Sequence, residues 1–81
     1  MLYNVYILKS INFPHKIYIG YTLDIFLRLQ KHNEGGSVYT KKYKPWEIVF
    51  SCIFNDKSKA IAFEKYLKSH SGRAFAKKHL W

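Results

Sequence analysis

From Tyr3 to Lys9 the chain alternates, with Tyr3, Val5 and Ile7 on one side and Asn4, Tyr6 and Leu8 on the other, the period of two that marks a strand. A loop through Ser10, Asn12 and Pro14 leads to a second alternating run, Lys16 to Tyr21, with Ile17 and Ile19 opposite Lys16, Tyr18 and Gly20. Paired as a hairpin, opposed residues share a face, which brings Tyr6 and Tyr18 together over Gly20, where the absent side chain leaves space. Thr22 then reads as an N-cap and Asp24 as a first-turn acid for a helix reaching about His32, ended by Gly35-Gly36. Leu23, Phe26, Leu27 and Gln30 form one side of it, flanked by Ile25 and Leu29. Asp24, Arg28 and His32, at i, i+4 and i+8, are expected along one polar stripe. A basic, aromatic loop runs from Val38 to Pro45, and Glu47 to Phe54 is the third strand. Asp56 or Ser58 caps a second helix to about Ser69, and Ser71 a short third helix through His79.

The resulting order, β-β-α-β-α-α, has no repeat, linker or low-complexity tract. It predicts a single α+β domain over residues 1–81, a small three-stranded antiparallel sheet flanked by helices. A domain of 81 residues buries only about 60–65% of its unfolded surface, so its core must be dense in large side chains. The 48% hydrophobic and 19% aromatic content meets that need and excludes a disordered basic tail. No apolar run approaches the ~20 residues of a membrane span, and Met1-Leu2-Tyr3-Asn4 lacks the basic start of a leader. The lone Cys52 excludes an internal disulfide and is expected as a buried strand thiol, in a cytoplasmic protein. Charge changes the picture most. Fourteen Lys and Arg against five Asp and Glu give +9, spread from Lys9 to Lys78, so a polyanion would meet cations across a folded surface.

The second helix carries an unusual acid. Ala60, Ile61, Phe63 and Leu67 mark its buried side, and Glu64 lies one turn from both Ala60 and Leu67. A carboxylate beside an apolar stripe needs a partner. Spacing alone allows two: Lys68 at i+4, or a metal ion in the space above Ala60. The other acids, Asp24, Glu34, Glu47 and Asp56, fall at helix starts, beside the glycines or at a strand opening. Two-metal chemistry needs several converging carboxylates, whereas one carboxylate can hold one Mg²⁺ that keeps most of its waters.

Taken in order, Asn4-Val5-Tyr6, Tyr18-Ile19-Gly20, Arg28, His32 and Glu64 resemble the GIY-YIG nuclease domain over nearly the whole chain, and most of all its small stand-alone bacterial members, which carry a similar Tyr-Ile-Gly-x-Thr-x-Asp stretch. The second motif is intact; the first keeps its tyrosine and a β-branched neighbour. The resemblance implies that Glu64 binds Mg²⁺ (or Mn²⁺) and that Arg28 contacts the scissile phosphate. It implies that Tyr6 orients or deprotonates the attacking water with Tyr18 bonded nearby, and that His32 orients water or shuttles a proton. As a base, Tyr6 would need the nearby cation field to lower its pKa from about 10. Candidate nucleic-acid contacts are Gly20, Tyr39, Lys41, Lys42, Lys44 and Arg73. Many family nucleases carry an asparagine after the glutamate helix; past Glu64 this chain has none, and Ser69, His70 and Ser71 are the polar residues there.

The expected function is therefore metal-dependent endonucleolytic cleavage of DNA, with RNA a further possible substrate. Selectivity is expected to come from substrate structure or from a protein partner. The alternative is a nucleic-acid-binding module of the same fold that does not cut. If binding is electrostatic and neutralises about five phosphates, log affinity falls against log salt with a slope of about −4 to −5. Fluorescence anisotropy on a random-sequence duplex measures it, and a flat salt dependence would refute the expectation.

Overall fold

The central strand, β1 (Tyr3–Ser10), pairs antiparallel with β2 (Ile17–Thr22) on one side and β3 (Trp46–Phe54) on the other, giving the sheet order β2-β1-β3. The protein is described here by a computed structural model covering all 81 residues. Between β1 and β3 the register shifts at Ile7/Leu8, where Ile7 faces Phe50 and Leu8 faces Ile48, so Val49 is the extra residue of a bulge. Four helices complete the chain: α1 (Ile25–Asn33), α2 (Val38–Lys42), α3 (Lys57–Lys68) and α4 (His70–His79). The sheet is a filling between two helical layers. Val5, Ile7 and Ile19 on one face bury against Ala60 and Leu67 of α3 and Ala76 of α4. Tyr6 and Leu8 on the other bury with Trp46 against Ile25 and Leu29 of α1. This double burial explains why the mixed second side of β1 is as dry as its apolar side.

The α+β class and the antiparallel sheet are as expected, with four local corrections. The segment expected as a loop contains α2, set by a capping box in which Ser37 and Thr40 satisfy each other's backbone amides. Trp46 Nε1–H donates to the Thr40 carbonyl at 2.9 Å and locks that turn to β3. Asp24, not Thr22, caps α1, accepting from the Leu27 amide at 3.0 Å. Ser69, not Ser71, caps α4, and its hydroxyl also donates to the Tyr66 carbonyl at 2.6 Å, closing the tight α3–α4 junction. Finally, α1 presents Ile25, Leu29 and His32 to the sheet, while Leu23, Phe26 and Leu27 are exposed. The apolar residues of α1 outnumber the positions that can point inward, so periodicity alone did not choose the face.

Both ends of α1 are pinned. Asp24 holds its start, and at its end Asn33 Oδ1 accepts from the Trp46 amide at 2.6 Å while Asn33 Nδ2 donates to the Trp46 carbonyl at 3.3 Å. At the α3–α4 junction a Cβ on Gly72 would collide with the carbonyl oxygen of Tyr66, a backbone atom that cannot rotate away. Gly72→Ala is therefore expected to cost about 3 kcal/mol. For a domain of this size that lowers the melting temperature by more than about 10 °C. A thermal melt followed by circular dichroism reads this directly; an unchanged midpoint would contradict the close approach.

Candidate active site

The hairpin register places Tyr6 opposite Gly20 and Leu8 opposite Tyr18, so Tyr6, Tyr18 and Gly20 share one face. A Cβ at Gly20 would meet Tyr6 Oη at 2.5 Å and Cζ at 2.6 Å; the phenol occupies the volume that any other residue would fill. Laid across β2 in this way, Tyr6 reaches α1, and its Oη lies 3.1 Å from His32 Nε2. Tyr18 completes the group, with its ring centroid 4.5 Å from that of His32 and 6.2 Å from that of Tyr6. Tyr39 of α2 extends the aromatic row at 6.4 Å from Tyr18, tied by its hydroxyl to the Ile17 carbonyl at 3.1 Å.

Charge surrounds this cluster. Burial is the main cause that pushes the Tyr6 phenol above its ordinary value; Tyr18 and Glu64 push it further up, and the Arg28 guanidinium pulls against them. The cation field does act on Tyr6 as expected, but desolvation outweighs it, so the phenol is held neutral. His32 moves the other way. Burial, and secondarily Arg28, lowers its pKa below the usual 6.5, so the imidazole is neutral at pH 7. Its Nδ1 is buried without a hydrogen-bond partner. The Arg28 guanidinium on α1 and the Glu64 carboxylate on α3 both act on this one phenol, in opposite directions.

The residues anticipated from sequence thus divide. Tyr6, Tyr18, Gly20 and His32 are in contact, with Arg28 acting electrostatically on Tyr6 and His32 and Glu64 on Tyr6. The single polar stripe does not form. Asp24 precedes the helix as its cap, Arg28 faces solvent, and His32, about 40° further round, turns onto the sheet. Arg28 does not pair with Asp24, which serves as the cap. It lines a cleft of ≈ 340 Å³ together with Thr22 and with Tyr21 and Lys31, the last two of which sequence spacing did not single out. Glu64 Oε2 contacts Lys68 Nζ at 3.3 Å, and the Glu64 side chain is 19% exposed. Lys41, Lys42 and Lys44 are exposed on and after α2, with Lys42 over the Tyr43 ring and Lys16 also over it. Arg73 belongs to a different surface, on α4. Cys52 is half-buried in β3, and burial pushes its thiol up.

No three His, Cys, Asp or Glu side chains gather as a metal cage. What the cluster offers a divalent cation is the single, partly exposed carboxylate of Glu64, which acts on Tyr6. That donor set fits Mg²⁺, which takes its remaining ligands from water and phosphate.

Comparison with known proteins gives one consistent result. The family model described as the GIY-YIG catalytic domain matches residues 2–78. The UPF0213 protein YazA of Bacillus subtilis is 42% identical over 52 residues, covering 63% of this chain and 52% of that protein. A UPF0213 protein of Staphylococcus aureus is 35% identical over 68 residues, covering 83% and 80%. The structure-specific endonuclease subunit SLX1 of Debaryomyces hansenii is 38% identical over 68 residues, 76% of this chain but 19% of its own length. The chain therefore spans about half of YazA and about a fifth of SLX1. The solution NMR structure of a UPF0213 protein from Bacillus halodurans superposes with a TM-score of 0.58 at 31% identity, over 96% of this chain and 84% of that one.

A neutral buried histidine makes stability depend on pH. His32 binds its proton more readily unfolded than folded, so its stabilising share is complete above pH 6.5 and is lost as pH falls through its lowered folded value. The wild-type melting temperature should drop on acidification below pH 6.5, and His32→Gln should flatten that drop whatever its own midpoint. Parallel melts across this range provide the check; equal pH slopes would show that His32 is not buried neutral.

Proposed function

The chain belongs to the family of GIY-YIG catalytic domains, and from that premise we propose that it is a metal-dependent endonuclease acting on DNA, directed by substrate structure or by a protein partner. The observation that carries this reading is the Tyr6–Tyr18–His32 cluster seated on Gly20, under the fields of one guanidinium and one carboxylate. The SLX1 relative is named as a structure-specific endonuclease subunit, which supports both the reaction class and the idea of a partner.

Glu64 would hold the Mg²⁺ (or Mn²⁺), giving up its weak surface contact with Lys68. The bound metal would supply Lewis-acid polarisation of a phosphoryl oxygen. Arg28, free of any ion pair, would set its planar fork on the scissile phosphate and offset charge that develops during cleavage. Tyr6 would orient the attacking water as a neutral phenol. A relay avoids a buried phenolate: Tyr6 Oη takes a proton from water as it passes its own to the neutral His32 Nε2, 3.1 Å away.

One observation favours the non-cutting alternative. Of the polar residues after Glu64, Ser69 is engaged in capping α4 and bonding the Tyr66 carbonyl, so it does not replace the family's asparagine. Nicking of supercoiled plasmid with Mg²⁺ or Mn²⁺, beside an EDTA control, separates cutting from binding alone. Arg28→Ala should slow cleavage by at least about 10²-fold with the fold intact, and Arg28→Lys should restore it only in part. Glu64→Gln should abolish metal-dependent nicking while DNA binding persists or tightens slightly. Nicking by Glu64→Gln near the wild-type rate would overturn the mechanism, and DNA binding with no nicking by wild type would establish the binding module.

A further inference from the structure

A second cleft, of ≈ 420 Å³, shares no residue with the first. Lys9 at the end of β1, His15 in the hairpin loop, Arg73 and Lys77 on α4, Ile17 and Trp81 line it. Three cations thus converge from elements far apart in sequence. No acidic side chain lines the cleft, and none of the three is ion-paired, the one salt bridge of the chain being Lys68–Glu64. Arg73 and Lys77 are i,i+4 neighbours, and like charges at that spacing repel. A concavity lined in this way concentrates positive potential and favours an anion. Trp81 is half-buried with part of its surface packed on the core, so its indole is a fixed platform and not a loose tail.

The cleft is also connected to the reactive cluster. β2 is an edge strand, and its successive residues face opposite ways: Tyr18 toward His32, Ile17 into the basic cleft. A polyanion crossing the β2 edge would touch both. We propose that this cleft holds an unpaired strand of the nucleic-acid substrate, its phosphates against Lys9, Arg73 and Lys77 and one base stacked on Trp81. The assignment rests on the nuclease reading above and adds to it a preference for substrates with a single-stranded arm. A duplex can supply the phosphates but not a free base face for the indole.

The test is anisotropy with a labelled DNA single strand of about 12 nucleotides and a duplex of equal length, over a salt series, in metal-free buffer. Replacing Lys9, Arg73 and Lys77 together with Ala should make the single-strand salt slope shallower by about 2. Trp81→Ala should weaken single-strand binding by about tenfold and duplex binding far less. If the triple variant melts early, the single Lys9→Gln, Arg73→Gln and Lys77→Gln proteins should each remove about 0.7 of the slope. Wild-type binding whose slope none of these changes alters overturns the cleft assignment alone. A wild type that binds neither DNA overturns the nucleic-acid reading itself.

Discussion

The approach of the Tyr6 phenol to the backbone of Gly20 is the constraint from which the candidate site follows. Any side chain at position 20 would expel the ring. With it expelled, Tyr6 would lose His32, and α1 would lose the polar contact that fixes which of its faces meets the sheet. Fold and chemistry are joined here through one missing methyl group. The same phenol that closes the second core presents its oxygen to the only buried histidine. The site is therefore built from core residues, and its geometry is as well defined as the core.

How much of this was legible depended on how local each signal was. The strands announced themselves by alternation, and pairing parity alone put Tyr6 over Gly20 beside Tyr18. Helix faces were less legible. α1 carries Ile25, Phe26, Leu27 and Leu29, with Leu23 just before it, more apolar positions than one buried stripe can take, and the sheet selected Ile25 and Leu29. Capping was ambiguous wherever two candidates stood close together: Asp24 won over Thr22 and Ser69 over Ser71 because chain entry from the preceding element fixes where the first free amide points. α2 is too short for periodicity and is specified by Ser37, Thr40 and the distant Trp46. The sign of the Tyr6 shift was also out of reach, since it turns on desolvation that only packing reveals.

The positive charge, one number in the sequence, resolves into separate surfaces in the fold. Lys41, Lys42 and Lys44 follow the aromatic row of Tyr39 and Tyr43 near the reactive cluster, while Lys9, Arg73 and Lys77 stand across the sheet. The exposed Leu23 and Leu27 line the first cleft beside Arg28 and Lys31, so apolar and basic side chains alternate around it.

The pinning of α1 at both ends has an entropic consequence for Arg28. Asp24 fixes the start of the helix and Asn33 ties its end to Trp46, so the backbone carrying Arg28 has almost no freedom left to lose. The guanidinium, exposed and without a partner, keeps all of its own. Engaging a phosphate would then cost rotamer entropy of about 1.5–2 kcal/mol in a single side chain and almost none in the main chain. The loss falls on one arginine because it was taken from the backbone when the chain folded.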